Sequence, residues 1–249
     1  MNALPDELVP ATRLILAAAL AWFAAGGFAR AQAQNPNPPT YPVMAPLKQY
    51  LMPNRADEIA QALHAAPASI ANDADVMVLG RGGYETVVTG RNGFVCLVQR
   101  SWFSGLTDNE FWNPRGRAPI CFNPQAARTV LPVYLKRTEW ILAGATRDEV
   151  IDRTKAAIAD HSISAPEIGT VTYMLAKDAY HSDRVAGPWH PHLMFFLPRI
   201  AVADWGANLP GSPIMGGGSN IEPFTIFFVP VAHWSDGTAD EWPGAGHKM

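Results

Sequence analysis

The sequence predicts a single α+β domain, a mainly antiparallel sheet with helices packed on it. Three observations point there: short apolar runs bounded by Gly, Pro and Asp come first, a pair of helical patterns follows, and further short runs close the chain. At 249 residues with 48% apolar and 16% charged content, the chain has the size and composition of one globular domain. Its 22 prolines and 20 glycines scatter without a repeat, which favours a loop-rich fold over a solenoid or fibre.

Leu14 to Ala25 is an uncharged apolar run preceded by Arg13, and Ala31-Gln32-Ala33 supplies the small-x-small pattern of a peptidase site. A run this short falls below the roughly 20 residues a spanning helix needs, so residues 1–33 read as a cleaved signal peptide and the mature chain as periplasmic or extracellular. The later apolar runs stop at strand length, so no stable membrane span is expected after cleavage. The net charge of −3 is unchanged by removing residues 1–33, and the chain has no Lys/Arg run, which argues against nucleic acid as a partner. Two cysteines in an oxidising compartment have one intramolecular pairing, so Cys96 and Cys121 are expected to form a disulfide rather than leave Cys96 as a nucleophile.

Residues 34–53 hold six prolines and read as an extended lead-in, with the domain itself expected over 54–235 and a flexible tail over 236–249. Asn54 to Ala65 shows helical spacing, with Asp57 and Glu58 placed to favour the macrodipole and Pro67 beyond its end. Val76–Leu79, Glu85–Thr89 and Phe94–Arg100 read as strands, the last two joined as a hairpin at Asn92-Gly93 with Glu85 facing Arg100. Asn123-Pro124 opens a helix that Pro132 should kink or split, and Thr146 to Glu149 fits a capping box opening another. Thr170–Leu175, Leu193–Leu197 and Phe224–Val231 read as buried strands, with a Gly/Pro-rich loop over 204–223.

The motifs that settle an activity by themselves, such as a nucleophile elbow, a phosphate loop or a zincin helix, are missing. The densest local signal is Trp189-His190-Pro191-His192. Residues i and i+2 of an extended segment project to one side, so His190 and His192 are candidate ligands of a divalent transition metal such as zinc. His181, Asp183 and His233 are candidates for the missing ligand, and Asp178, Asp183, Glu222 or Asp236 for a general base. The competing reading is structural, with both imidazoles hydrogen-bonded to backbone at a strand start. A second candidate is a cleft in which Trp102, Phe103, Phe111 and Trp112 lie beside Arg115 and Arg117, suited to a sugar or an acidic ligand. Core aromatics with solvated arginines are the alternative there.

Residues 60–96 carry an Ala-Ala-Pro-x-x-Ile helix end and a Gly-x-Asn-Gly-aromatic-x-Cys strand, and with residues 127–140, 189–196 and 227–238 they resemble bacterial exported proteins of unknown function. The resemblance implies export and a single domain, and it implies no activity and no catalytic residue. Two functions follow from the residues: a non-catalytic exported domain that binds a small molecule or an envelope component, and a metal-dependent hydrolase centred on His190 and His192.

Overall fold

The computed structural model describes residues 40–184 and 189–241, so the signal-peptide reading of 1–33 lies outside the described residues. The chain runs through α1 (Arg55–Leu63), α2 (Ala68–Ala71), β1 (Asp75–Gly80), β2 (Gly83–Val88), β3 (Val95–Arg100) and β4 (Arg117–Phe122). It continues through α3 (Pro124–Thr129), α4 (Leu131–Leu142), α5 (Arg147–Ala159), β5 (Val171–Met174), β6 (His192–Pro198), β7 (Met215–Gly218) and β8 (Phe224–Pro230). The eight strands form one sheet in the order β2-β1-β3-β4-β5-β6-β8-β7, antiparallel at every pairing except β1 with β3. The described residues thus form the expected mixed, mostly antiparallel α+β domain.

Alternation along the strands sends side chains to two covered faces. Leu97, Ile120, Phe122, Met174, Met194, Phe196 and Phe224 join Trp102, Tyr134, Ile141 and Val150 in the main core under α4 and α5. Val76, Cys96, Val98 and Cys121 pack on the other face against Ala62, Ala65 and Ala66 at the end of α1, whose small side chains let the backbone approach the sheet. Cys96 and Cys121 are directly opposite in β3 and β4 and are disulfide-bonded, with no exposure.

The helix starts follow their local signals. Asn54 accepts from the amide of Ala56, Asn123 from that of Ala126, and Thr146 forms the capping box with Glu149. Pro132 divides the expected helix into α3 and α4, because a proline in the first turn of α4 cannot supply an amide to continue α3. Pro67 both ends α1 and opens α2.

The expected β2–β3 hairpin is not formed. Gly80 pairs with Gly83 to close a β1–β2 hairpin, and β3 lies on the far side of β1, parallel to it. A type I′ turn needs positive φ at both central residues, and only Gly93 has it (74°); the Asn92 carboxamide instead accepts from the amide of Phe94 and donates to the carbonyl of Ile70. The link from β2 to β3 crosses the start of β1 so closely that a Cβ on Gly90 would lie 2.2 Å from the carbonyl oxygen of Asp73. Glu85 accordingly pairs with Arg55, and Arg100 with Glu58.

Two strands lie where the sequence reading placed none: β4, to which it assigned no element, and β7, within the expected Gly/Pro-rich loop. In β4, the 4.0 Å Cα separation of Cys96 and Cys121 marks a narrow, non-hydrogen-bonded pair, so Pro119 two residues away also turns its missing amide from β3. On its other side β5 pairs only as far as Cys121, so Pro119 removes no ladder bond. The edge strand β7 is mostly glycine, and Asn208 lies along it, its amide donating to the carbonyl of Gly216 (2.8 Å) and its oxygen accepting from the Gly216 amide (3.0 Å).

The domain also begins earlier than Asn54. Tyr50 is fully buried and donates to the carbonyl of Trp112 (2.8 Å), while Tyr41, Met44 and Leu51 pack on the core, so residues 40–53 are a strap rather than a lead-in. Residues 236–241 are likewise tied down, through Lys177–Asp236 and His190–Asp240. Among the described residues no helix is long and apolar enough to cross a membrane.

Candidate ligand site at one end of the sheet

Register brings the exit of β5, the entry of β6 and the exit of β8 together, because Met174, His192 and Pro230 are paired neighbours. A bridge between Arg117 and Tyr180 adds the start of β4 to the same end. The polar residues that sequence reading scattered over the chain meet there in two adjoining groups.

The first group is a knot around two buried carboxylates. Asp183 accepts from the hydroxyls of Tyr41 and Tyr180, from Asn113 (3.2 Å) and from the Arg115 guanidinium. Glu110 accepts from Asn113 (3.0 Å), from the Ser182 hydroxyl (2.8 Å) and from the Asp183 amide (2.9 Å). Both acids have their acceptor capacity taken up by protein donors, so they hold the segment 180–183 in place and leave no carboxylate open for a metal or a proton transfer.

The second group hangs from that segment. His181 follows Tyr180 and lies 4.6 Å, centroid to centroid, from Trp189; Trp189 and Phe228 pack against His192 at 5.4 and 5.8 Å and against each other at 6.0 Å. The His192 side chain is 3% exposed, and its Nδ1 is 2.7 Å from the carbonyl oxygen of His190. A carbonyl oxygen can only accept, so Nδ1 carries the proton and Nε2 is a bare lone pair. That Nε2 is buried without a hydrogen-bond partner. Burial lowers the His192 pKa, and burial followed by the nearby His192 pushes His181 down to about 3, so both rings stay neutral at neutral pH. His190 pairs with Asp240 at 2.7 Å.

The expected metal set of His181, His190, His192 and His233 is therefore not assembled. Nδ1 of His190 and of His192 are bonded to protein oxygens, His233 is exposed and bridged to Ala239, and Asp183 is saturated. Among the described residues no group of three His, Cys, Asp or Glu is placed to hold a metal ion. The candidate bases are also occupied: Asp178 pairs with His64, Asp236 with Lys177, and Glu222 with the buried Arg137 (2.5 Å).

The aromatic cleft is core instead. Trp102, Phe103, Phe111 and Trp112 are all buried, Arg115 lies over the Tyr180 ring, and Arg117 donates to the carbonyls of Gln49 and Leu51. Cys96 is no nucleophile, being a buried half-cystine. A separate polar cleft of about 310 Å³ between α4 and the turn after α5 shares no lining residue with this end of the sheet, and its Arg128 is already paired with Glu167.

Sequence reading missed Tyr41, Glu110, Asn113, Tyr180, Trp189, Phe228 and Asp240. Only Trp189 carried a local signal, its place beside His190; the others acquire meaning from contacts such as Ser182–Glu110, 72 residues apart. Comparison of the chain with family models, with curated proteins and with solved structures finds no match.

Proposed function

We propose that the mature chain is an exported, non-catalytic domain that binds a small organic ligand at this end of the sheet, beside His192. The observation that carries the reading is the bare Nε2 of His192, buried and unpaired among aromatic rings. Leaving a polar atom so costs about 1–3 kcal/mol, a penalty that a ligand supplying a donor removes. The saturated carboxylates and the depressed basicity of both imidazoles favour recognition over acid–base chemistry. The Leu14–Ala25 run, the Ala31-Gln32-Ala33 pattern, the buried disulfide and the resemblance to exported bacterial proteins support a periplasmic or extracellular location.

The test is thermal unfolding of the mature protein against a panel of small organic compounds and cell-envelope fragments, run beside a His192→Phe variant. A ligand at about 100 times its Kd should raise the wild-type midpoint by about 5 °C or more and leave the variant unmoved. Hits that stabilise both proteins equally would remove His192 from the site. The export step is tested separately by intact mass from the native host, which should correspond to a chain starting at or near Gln34; a mass retaining residues 1–33 refutes cleavage.

A further inference from the structure

We propose that the cleft of about 310 Å³ between α4 and the turn after α5 binds a small zwitterion with an aliphatic side chain, the chemistry of an aliphatic α-amino acid. The cleft shares no lining residue with the ring cluster at His192, so the two sites stand or fall separately.

Local sequence builds both walls. Leu135, Lys136 and Glu139 follow one another on α4 at spacings of one and three residues, so Leu135 and Lys136 each share a side of the helix with Glu139. Opposite them, His161 takes φ of 60° just past α5 and turns the chain back, and the amide of Ile163 bonds the carbonyl of Ala157 (2.8 Å). Ile163 is thereby buried, as Val133 is on α4, while Ser162 and Ser164 stay exposed at the rim. A volume of this size lies at the small end of the range for ligand sites, which suits a molecule of few heavy atoms.

Each part of the ligand class follows from the lining. Lys136 and Glu139 carry opposite charges into the cleft, and among the described residues neither makes a hydrogen bond or an ion pair. Asp160 feels the charge of Lys136, but its carboxylate accepts from the amide of Ser162 (2.9 Å). Arg128, the remaining charge in the lining, is matched by both oxygens of Glu167. A carboxylate placed at Lys136 and an ammonium at Glu139 leave the cleft electrically matched. A simple anion would face Glu139 unmatched, and a simple cation would face Lys136. The Ser164 hydroxyl, without a partner of its own, can donate to the one end or accept from the other. The aliphatic part follows from Val133, Leu135 and Ile163, which offer apolar surface for it to cover. No aromatic ring lines the cleft, so a planar ligand finds nothing to stack on.

The experiment is calorimetric titration of the mature, disulfide-bonded protein with leucine, with isocaproate, which lacks the ammonium, and with isoamylamine, which lacks the carboxylate. Leucine should bind saturably, and each half-ligand at least about fivefold more weakly. Lys136→Met should abolish the preference for leucine over isoamylamine, and Glu139→Gln the preference over isocaproate, with both variants checked for folding by circular dichroism. His192→Phe should bind leucine as wild type does. Leucine that fails to saturate at millimolar concentration, or that binds both α4 variants as tightly as wild type, overturns the site. Equal affinity for leucine and either half-ligand overturns the zwitterion. Leucine binding that is lost in His192→Phe and kept in both α4 variants overturns this proposal while supporting a ligand site at His192.

Discussion

Glu58, in the first turn of α1, and Arg100, at the end of β3, form an ion pair at 2.8 Å with both side chains buried. The guanidinium also donates to the carbonyls of Tyr50 (2.6 Å) and Val98 (2.5 Å), and Glu58 accepts from the amide of Leu79. The pair thus joins the strap, α1 and two strands at one point. Removing only one partner strands a buried charge, so Glu58→Ala is expected to lower unfolding free energy by about 3–5 kcal/mol. The double variant Glu58→Ala/Arg100→Leu should recover part of that loss, as read from urea midpoints.

The neutral histidines make stability depend on pH in a stated direction. His181 titrates near its ordinary 6.5 when unfolded and near about 3 when folded, and His192 is lowered in the same sense. In between, the unfolded chain binds protons that the folded chain does not, so stability present above pH 6.5 is lost as pH falls toward 3. Urea midpoints should drop between pH 7 and pH 5, and the drop should shrink in His192→Phe. A variant with an unchanged slope would show that His192 is solvated.

The disulfide joins residues 25 apart, and closing a loop of that length stabilises the fold by about 3.5 kcal/mol in the chain-entropy account. Thiol titration of unfolded, unreduced protein should find no free thiol, and Cys96→Ala/Cys121→Ala should lose about that much stability while keeping its circular dichroism. The flanking pairs Leu97–Ile120 and Val95–Phe122 continue the β3–β4 ladder without it.

Each sheet edge is blunted in its own way. On β2 the unpaired Val87 stands between the pairs Val76–Val88 and Met77–Thr86 and bends the strand. On β7 the carboxamide of Asn208 occupies both outward-facing groups of Gly216, as a neighbouring strand would. Asn208 has φ of 60°, so Asn208→Gly removes the amide without backbone strain. That variant should associate with rising concentration in light scattering, whereas wild type should not.

What the sequence made legible was what depends on near neighbours. Asn54, Asn123 and Thr146 each open a helix through a bond made two or three residues away, and Pro132 acts on its own backbone. Strands were harder, because Pro119 is admissible in β4 only for want of a β5 partner, and β7 exists only by pairing with β8. Asn92-Gly93 misled for a related reason: the contact of Gly90 with Asp73 outweighs the preference of a dipeptide. The histidine cluster was visible as a local density, but which His192 nitrogen is left without a partner depends on His190 O, and the carboxylate knot joins residues with no spacing in common.

The strap over residues 40–53 bears on the order in which the chain closes. Tyr41 bonds a carboxylate 142 residues downstream, and Tyr50 a carbonyl 62 residues downstream. A chain that emerges amino end first has neither partner when these tyrosines appear. Tyr50 can dock once Trp112 has emerged, whereas Tyr41 waits for Asp183, so the two ends of the strap close at different times and the first stays undocked while most of the sheet is being made.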